Sequence, residues 1–337
     1  MATRDQVAQL AGTSPSVVSY VVNEGPRPVS QATRQKVLDA IAQLDYRPNS
    51  LARALRVKKT LALGLIVPDS SNPFFAALVQ AIEDVAYENG YTLLIGNASN
   101  NETREINYVR AFAERQVDGL VLISSTTSPS SLEELQKVNL PVVIVDRLVD
   151  EEFPVSMVVA DNEAGGYIAT EHLLSHGHTK IACLGGPSDL TPSADRFRGW
   201  QRATEQSSLY LEPNLLVKSN FDSQSAYEAT KLLLNSQSDI TALFASTDTQ
   251  AFGALRAIRE TGRRIPKDFA IVSFDDIAES AFSFPPLTTI KQPIDKMAKL
   301  AFEMLVQRMQ EPKTPSSKAV LEVSLNIRRS CGCCHDT

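Results

Sequence analysis

The chain has 337 residues, a formal net charge of −6 and 43% apolar residues, a size that suits one small domain attached to a larger two-part body. No apolar run approaches the length that spans a membrane, and residues 1–5 lack the apolar region of a secretion signal, so we expect a cytoplasmic protein with no membrane partner. Residues 1–59 carry nine Lys or Arg and four Asp or Glu, a net +5, whereas the rest sums to −11, which indicates that only the first end meets nucleic acid.

The first predicted helix begins with a capping box. Thr3 and Gln6 stand three residues apart, so the hydroxyl and the amide can each satisfy a free backbone N–H at the helix start. Gly12 ends the helix. The apolar face between these limits consists of Val7, Leu10 and Ala11.

A second helix follows after a very short turn. Ser14 is suited to cap it, and Pro15 to occupy its first position, where the missing N–H costs nothing. Its inward side consists of Val18, Val21 and Val22. Two short helices joined so tightly predict a helix-turn-helix, whose second helix enters the major groove of DNA. The side chains that would lead into the groove are Pro15, Ser16, Ser19 and Tyr20.

A third helix, starting near Ser30, closes the small core. Its apolar positions cover one side of the helix and are Val37, Leu38, Ile41 and Leu44. Residues 46–48 end it. The alternative is an ordinary three-helix bundle with a solvated outer face, but capping, turn length and charge together favour a DNA-binding unit.

The next segment, residues 49–56, is a short basic stretch rich in Ala and Leu. Eight residues cannot hold a stable helix alone in water, so we expect this hinge helix to form only with support from a partner copy or DNA. Leu55 beside Arg56 suits insertion into the minor groove, where an apolar side chain unstacks a base step and a cation holds the backbone.

These segments carry a recognisable motif. It reads Val7-Ala8-x-x-Ala11-Gly12-x-Ser14-x-x-x-Val18-Ser19-x-Val21-Val22-Asn23, then Thr33-Arg34 and Tyr46-x-Pro48-Asn49-x-x-Ala52-Arg53-x-Leu55. The motif resembles that of the lac repressor/galactose repressor family of bacterial transcription regulators. The resemblance implies a repressor of palindromic double-stranded operator DNA, in which Leu55 opens the central base step. It also implies base-edge contacts from Pro15, Ser16 and Tyr20. The complete set of DNA-contact residues that we predict is Thr3, Ser14, Pro15, Ser16, Ser19, Tyr20, Asn23, Arg53, Leu55 and Arg56.

From residue 61 onward, apolar runs of strand length alternate with helical stretches. The predicted strands are Leu61–Val67, Thr92–Ile95, Gly119–Ile123, Val142–Val145, Ile181–Leu184, Leu215–Val217, Ala242–Ala245 and Ala270–Phe274. Buried strands that alternate with helices predict an α/β fold of doubly wound parallel sheets. Because two sets of four strands are separated near Asp161, we expect two similar lobes.

The predicted organisation has four parts: a helix-turn-helix DNA-binding domain at 1–47, a hinge helix and linker at 48–60, an effector-binding and dimerisation domain at 61–330, and a tail at 331–337. Within the third part, the first lobe takes residues 61–160 and 290–315, and the second lobe takes 161–289 and 318–330. We expect residues 288–293 to form a strand that returns to the first lobe.

Doubly wound sheets bind ligands just beyond the carboxyl ends of their strands. The polar and aromatic residues placed there are Asn72, Phe74, Phe75, Asp146, Arg147, Arg196, Phe221, Thr247, Asp275 and Gln292. Carboxylates, guanidinium groups and an amide can pair with vicinal hydroxyls, while aromatic faces pack on the C–H faces of a sugar. This set therefore predicts a monosaccharide site. Asp248 and Asp276 hold similar positions, but we expect them to act as helix caps or ion pairs.

The body, residues 61–330, is similar to the periplasmic sugar-binding proteins on which the repressor family is built, and its site resembles most closely the ribose-binding members. The resemblance implies ribose or a related pentose as the effector. Thr247 departs from the pattern, since ribose-type sites usually carry Asn there, which leaves another pentose, a hexose or a nucleoside open. Purine-binding members share four positions, so a purine- or nucleoside-responsive repressor is the alternative; the positions are Asp146, Arg196, Phe221 and Asp275.

An enzyme is the competing class for a two-lobed protein with a cleft. The sequence has no P-loop, no nucleophile elbow and no zinc-protease motif, so we predict no catalytic residue and no cofactor. The histidines of segment 172–178 are spaced like metal ligands, but histidines in the last turn of a helix also interact favourably with its dipole, and we predict no metal site there. A tail without a scaffold is more often frayed, which makes metal binding by its cysteines a weak hypothesis; they are Cys331, Cys333 and Cys334.

The hinge segment also predicts an assembly. A single copy is too short to fold alone, and a two-fold dimer matches a palindromic site, so we expect a homodimer, with which a tetramer is also compatible. A sugar that closes the lobes would change the spacing of two hinge helices. Whether the ligand releases DNA or promotes binding does not follow from the sequence. The remaining alternative is a cytoplasmic sugar-binding protein with no role on DNA.

Overall fold

The computed structural model describes residues 2–22, 27–47, 59–125, 129–149, 153–207, 213–237 and 239–332. They divide into two compact units, Met1–Thr60 and Leu61–Thr337. Among the described residues, no helix is both long enough and apolar enough to cross a membrane.

The described part of the first unit contains three helices, which are α1 (Arg4–Leu10), α2 (Pro15–Val22) and α3 (Gln31–Gln43). The capping box predicted at the start of α1 is confirmed: the N–H of Gln6 donates to Thr3 Oγ1, and the N–H of Thr3 donates to Gln6 Oε1 over 2.8 Å. Ser30 caps α3 by accepting from the N–H of Thr33. The buried core of this unit consists of Val7, Ala8, Ala11, Val18, Val21, Val37 and Ala40.

Two apolar residues expected in this core are exposed instead. Leu10 is 47% exposed and Leu38 is 44% exposed. In each helix a small residue takes the inward position, namely Ala8 in α1 and Ala40 in α3. Because successive helical residues are about 100° apart, a helix that points these alanines inward turns its leucine to the flank of the bundle.

The second unit contains two six-stranded sheets with helices on their faces. The elements of the first half are, in chain order, β1 (Ala62–Val67), α4 (Pro73–Glu88), β2 (Thr92–Asn97), α5 (Glu102–Glu114), β3 (Gly119–Leu122), α6 (Pro129–Val138), β4 (Val142–Val145) and β5 (Ser156–Ala160). Those of the second half are α7 (Asn162–Ser175), β6 (Ile181–Gly185), α8 (Thr191–Gln206), β7 (Leu216–Lys218), α9 (Ser223–Ser236), β8 (Ala242–Ala245), α10 (Asp248–Glu260), β9 (Ala270–Asp275) and β10 (Thr288–Lys291). The chain ends with α11 (Ile294–Gln310), β11 (Lys318–Leu321) and β12 (Ser324–Asn326).

The first sheet has the order β11-β5-β4-β3-β1-β2, and the second has the order β12-β10-β9-β8-β6-β7. All pairings are parallel except that of β10 with β12. In the first lobe, successive residues of β1 point to opposite faces of the sheet and so contribute to two separate cores. Leu65 packs with α4 and α11, and Ile66 packs with α5 and α6. The doubly wound α/β architecture predicted from the sequence is therefore confirmed.

Two segments lie in the lobe opposite to the predicted one. Residues 288–291 do not return to the first lobe, because Thr289 of β10 pairs in parallel register with Ser273 of β9 in the second sheet. Residues 318–321 leave the second lobe, because Val320 of β11 pairs with Val159 of β5 in the first sheet. The chain thus passes between the lobes three times, after β5, after β10 and after β11. The outer boundaries of the four parts stay predictions.

Candidate ligand cleft and nucleic-acid interface

The second helix of the first unit presents a polar outer face. Val18 and Val21 are buried on its inner side, Ser16 is exposed, and Ser19 and Tyr20 are half-buried. At its start, Ser14 Oγ lies 3.4 Å from the N–H of Val17, which donates to it. This is the arrangement that the groove-reading prediction requires of the helix.

Of the predicted DNA-contact residues, Thr3, Ser14, Pro15, Ser16, Ser19 and Tyr20 lie in the described part of the first unit. Thr3 is already engaged in the capping box of α1. The other four, Asn23, Arg53, Leu55 and Arg56, lie outside the described residues, as does the hinge segment 48–58.

In the second unit, a small cavity of about 20 Å³ lies between the lobes. Its lining residues are Asn72, Phe74, Phe75, Asp146, Arg147, Pro192, Arg196, Phe221, Thr247 and Asp275. All of them except Pro192 belong to the set that the sequence singled out. Such a volume holds about one water molecule, so a ligand of sugar size requires the lining side chains to rearrange.

The first-lobe wall begins with the segment after β1. Asn72 caps α4, since its Oδ1 accepts from the N–H of Phe74 over 3.0 Å, and Pro73 occupies the first turn. Phe74 and Phe75 are buried, with ring centroids 5.3 Å apart in an edge-on arrangement. The cap thus fixes where two adjacent aromatic rings meet the cavity.

Asp146 and Arg147 complete this wall directly after β4. Asp146 has φ 73°, a left-handed conformation that costs a non-glycine residue about 1–3 kcal/mol, and its N–H donates to the carbonyl of Val158 over 3.0 Å. Arg147 Nε lies 3.9 Å from Asp146 Oδ2, and Arg147 Nη1 donates to the carbonyl of Ser124. Burial raises the pKa of Asp146, and this effect outweighs that of the guanidinium groups of Arg147 and Arg196, which lower it.

The second-lobe wall is organised around Arg196 of α8, which is 3% exposed. Its Nε donates to Asn162 Oδ1 over 2.8 Å, and its Nη1 donates to the carbonyl of Ser246 over 2.6 Å. The same Nη1 lies 3.4 Å from Asp275 Oδ1, and the guanidinium carbon lies 3.7 Å from the centroid of the Phe274 ring. These contacts hold the guanidinium in one orientation at the cavity.

Asp275 faces this guanidinium from the end of β9. Its φ is 118°, and burial raises its pKa to about 8, with Arg196 acting in the opposite direction. Gln292 Nε2 donates to Asp275 Oδ1 over 2.8 Å. Gln292, which we predicted as a ligand contact, is therefore not among the cavity-lining residues but orients one that is.

Two further lining residues come from the loops after β7 and β8. Thr247 caps α10, because its Oγ1 accepts from the N–H of Gln250 over 3.1 Å. The ring of Phe221 packs against Gly186, where a Cβ atom would overlap it. Asn72 and Thr247 thus serve as helix caps and as cavity walls.

The two aspartates that we set aside lie elsewhere. Asp248 is fully buried and accepts from Ser273, from Thr289 and from the N–H of Ile277. Asp276 Oδ1 forms an ion pair with Arg328 Nη2 at 2.6 Å. Neither residue lines the cavity.

Some buried polar atoms of the described residues have no hydrogen-bond partner. Those near the cavity include Arg147 Nε, a donor, and Gln292 Oε1, an acceptor. Because burying such an atom unsatisfied costs about 1–3 kcal/mol, a ligand that carries both donors and acceptors would gain from binding here.

Sequence reasoning missed the residues that hold the charged groups in place. They include Ser124, Asn162 and Ser246, which bind Arg147 or Arg196, and Pro192, which lines the cavity. Asn162 and Pro192 each stand at the start of a helix that follows a strand, and this position could have identified them. The two serines act through backbone carbonyls, which no residue type reveals.

Comparisons with known proteins agree across the whole chain. The family model described as bacterial regulatory proteins, lacI family, matches residues 3–49, and the model described as periplasmic binding protein-like domain matches residues 170–331. The HTH-type transcriptional repressor PurR of Aliivibrio salmonicida is 37% identical over 312 residues, which cover 92% of this chain and 93% of that protein. The ribose operon repressor of Escherichia coli K12 is 35% identical over 332 residues, which cover 98% of this chain and all of that one.

Among solved structures, the lac repressor dimer bound to operator and the anti-inducer ONPF is similar to this chain. The TM-score is 0.88 with 28% sequence identity, and the similarity covers 98% of this chain and 99% of that one.

Proposed function

Because the chain belongs to the LacI family of bacterial regulatory proteins, it is a DNA-binding transcriptional repressor rather than an enzyme, and we propose that a small sugar bound between its lobes controls its affinity for operator DNA. The sugar that we propose is ribose or a related pentose. The name of the Escherichia coli relative, a ribose operon repressor, supports this choice.

The observation that carries the proposal is the convergence of two carboxyl groups, two guanidinium groups and three aromatic rings on one cleft. Asp146 and Arg147 contribute from one lobe, and Arg196 and Asp275 from the other. Each of these groups can form paired hydrogen bonds with neighbouring hydroxyls, while the rings pack on the C–H faces of a furanose or pyranose. A sugar hydroxyl can accept a hydrogen bond, so it could satisfy Arg147 Nε at the cavity wall.

A purine or nucleoside is the second candidate. The PurR relative is 37% identical to the chain, and the cleft also contains what a base needs, namely the ring of Phe221 to stack on and Arg196 and Asp275 to pair with base edges. The two candidates differ in the number of charged groups they would use. A bare base presents fewer hydroxyl-like partners to Asp146 and Arg147 than a sugar does.

We further propose that the first unit binds a palindromic operator as part of a homodimer. The polar face of α2 would lie in the major groove, with Pro15, Ser16 and Tyr20 at base edges and Leu55 inserted in the minor groove. Phe282 and Phe284 are 88% and 80% exposed, which is unusual for large apolar side chains and supports a contact between two copies of the second unit. A repressor acts where its operator is, so we propose a cytoplasmic location.

The proposed switch is a change in the arrangement of the lobes. A ligand shifts such an equilibrium only by its difference in affinity for the two arrangements. Asp146 and Arg147 lie on one side of the cleft, and Arg196 and Asp275 lie on the other. A sugar that bonds to both sides therefore favours one spacing of the lobes, and through residue 61 it would act on the hinge segment.

A thermal-shift screen of the full-length protein tests the ligand class. Ribose, a second pentose, glucose, adenosine and hypoxanthine are added at equal concentrations, and a pentose is expected to raise the melting temperature most, because a ligand at about 100 times its Kd adds about 2.7 kcal/mol to the free energy of unfolding. A shift produced by hypoxanthine alone would favour the second candidate.

Operator binding is tested separately with a palindromic DNA selected from a random pool. The binding constant should fall steeply with salt concentration because several phosphates are neutralised, and the ligand found in the screen should change it. An operator affinity that no ligand changes would contradict the proposed coupling between ligand binding and DNA binding. Failure to select any DNA from the pool would contradict the proposed role of α2.

A further inference from the structure

Two histidines and a cysteine meet at the far end of α7. His172 and His176 stand one helical turn apart, and their rings lie edge to face with centroids 4.8 Å apart. One ring nitrogen of each and the sulfur of Cys331 all lie within 4.8 Å of one another. Cys331 is distant in sequence, so the fold itself creates this cluster.

The sulfur is held in place by the segment that precedes it. Ser330 Oγ accepts from the N–H of Thr288 over 2.8 Å and donates to the carbonyl of Ile271 over 2.7 Å, and the carbonyl of Ser330 accepts from the N–H of Ile271. Thr288 Oγ1 lies 3.1 Å from Cys331 Sγ, and Cys331 is buried. The thiol therefore has a rigid scaffold. Our prediction that the tail is frayed was made without these contacts.

We propose that His172, His176 and Cys331 bind a zinc ion, with water in the fourth position. Two imidazole nitrogens and one thiolate are ligands that zinc prefers, and three protein ligands with an open position are an established zinc geometry. Ligand atoms around a tetrahedral zinc are about 3.3–3.6 Å apart, given bonds of about 2.0–2.3 Å. The observed limit of 4.8 Å exceeds this by about 1.2–1.5 Å, which side-chain rotation can close because His176 is exposed at the helix end.

The site differs from the one that the spacing of the histidines suggested. His178 points to another group, with its Nδ1 2.9 Å from Thr241 Oγ1, and Cys331 takes its place. Cys183 lies in β6, is fully buried in the core of the second lobe, and has a pKa that burial raises far above its ordinary value, so it is not a ligand. Cys333 and Cys334 lie outside the described residues.

Zinc at this position would tie the last residues of the chain to the end of α7. Binding displaces the proton of the Cys331 thiol, so the bound ligand is a thiolate. The unfolded chain has no ordered zinc site, so the ion would bind the folded lobe preferentially. It should therefore stabilise the second unit by mass action.

The test uses full-length protein freed of metal by a chelator and then titrated with Zn²⁺ against a chromophoric competitor. We expect one tight equivalent per chain. His172→Gln and His176→Gln should each lower the zinc affinity at least about 100-fold, since even indirect partners of zinc ligands contribute about 10–100-fold. Cys331→Ser should do the same and should abolish the thiolate-to-cobalt charge-transfer band of the Co²⁺-substituted protein. The matched control is His178→Gln, which should bind zinc as the wild type does.

A second control separates the cluster from the tail. The full-length double variant Cys333→Ser, Cys334→Ser should keep the affinity within a fewfold of the wild type. Loss of binding in this variant, together with unchanged binding in His172→Gln and His176→Gln, would place the metal on the tail and overturn the proposal. Absence of a tight equivalent in the wild type would overturn it as well. Circular dichroism of each variant establishes that it is folded.

Discussion

The backbone N–H of Leu148, in the first lobe, donates a hydrogen bond to Thr191 Oγ1, in the second lobe, over 3.0 Å. Leu148 directly follows Asp146 and Arg147, and Thr191 begins the helix that carries Arg196. The bond therefore connects the charged wall of one lobe to the charged wall of the other, and it contributes free energy only to arrangements in which the lobes are close.

Thr191→Val keeps the shape of the side chain and removes the acceptor. We expect the affinity for ribose to fall by about 2- to 10-fold, since a hydrogen bond of this kind contributes about 0.5–1.5 kcal/mol and the sugar must bridge the same two walls. Isothermal titration calorimetry measures the change. Thr204→Val is the matched control, because Thr204 Oγ1 donates to the carbonyl of Trp200 within the same helix. Equal affinities in wild type and Thr191→Val would show that the bond does not bias the lobes.

Gly186 and Gly185 offer a matched pair at the end of β6. A Cβ atom at Gly186 would overlap the ring of Phe221, whereas the nearest atom to a Cβ at Gly185 is Leu216 Cδ1 at 3.4 Å. Gly186→Ala should therefore push the Phe221 ring from its place in the cavity wall and weaken ligand binding about 10-fold or more, as loss of an aromatic contact of about 1.5 kcal/mol would. Gly185→Ala should leave the affinity close to that of the wild type. Affinities that change equally in both variants would remove Phe221 from the site.

Much of the fold followed from the sequence because its signals are local. The eight predicted strands are all present, since runs such as Val142–Val145 are apolar throughout and bounded by polar segments. Three strands were missed: β5, a buried five-residue run that pairs with β4, and the last two strands of the chain. Of these last two, β11 alternates exposed and half-buried residues, and β12 has three residues. Their partners are distant in the chain, so neither burial pattern nor length distinguishes them from loops.

The site was predictable for a different reason. The carboxyl ends of parallel strands gather at one edge, so Asp146 after β4 and Asp275 at the end of β9 could be named without knowing their distance. What the sequence could not give is the role of each residue. Gln292 orients Asp275 rather than lining the cavity, and the placement of Cys331 beside His172 depends on contacts across the whole second lobe.

Asp275 should make stability depend on pH in an unusual direction. Burial raises its pKa to about 8, so between its unfolded pKa of about 4 and about 8 the folded state keeps a proton that the unfolded state loses. Its contribution to stability is complete below about pH 4 and is lost as the pH rises to about 8, by at most about 1.4 kcal/mol per pH unit. Asp275→Asn cannot ionise, so its free energy of unfolding relative to wild type should increase from pH 5 to pH 8.5.

Urea unfolding of both proteins at the two pH values measures this difference. Asp268→Asn is the control, because hydrogen bonds from Arg264 hold the pKa of Asp268 below its ordinary value. That carboxylate is ionised in both states throughout the range, so the variant should differ from wild type by an amount that pH does not change. A pH-independent difference for Asp275→Asn would show that Asp275 is ionised in the folded protein.

Leu55→Ala tests the separation between the two units. The proposed insertion into the minor groove is lost with the side chain, so we expect operator affinity to fall by about 10-fold or more, in line with unstacking costs of a few kcal/mol that the inserted side chain offsets. The affinity for the sugar should stay unchanged, because the cleft is built from the second unit alone. Fluorescence anisotropy with operator DNA and calorimetry with the sugar measure the two effects. Equal loss of both affinities would contradict the proposed division of tasks.

Thr247→Asn distinguishes ribose from the other ligands most directly. Thr247 caps α10 through Oγ1, and because Asn is as good a cap as Thr, the helix should keep its start. The variant adds an amide donor and acceptor to the cavity wall. Asn is also the residue that ribose-type sites usually carry at this position. If the natural ligand is a pentose of this type, the affinity for ribose should rise about 2- to 10-fold, as one added hydrogen bond would allow. Ribose that binds more weakly to the variant, while a hexose or nucleoside binds the wild type well, would show instead that Thr247 selects a different ligand. Titration calorimetry of both proteins with each compound decides between these outcomes.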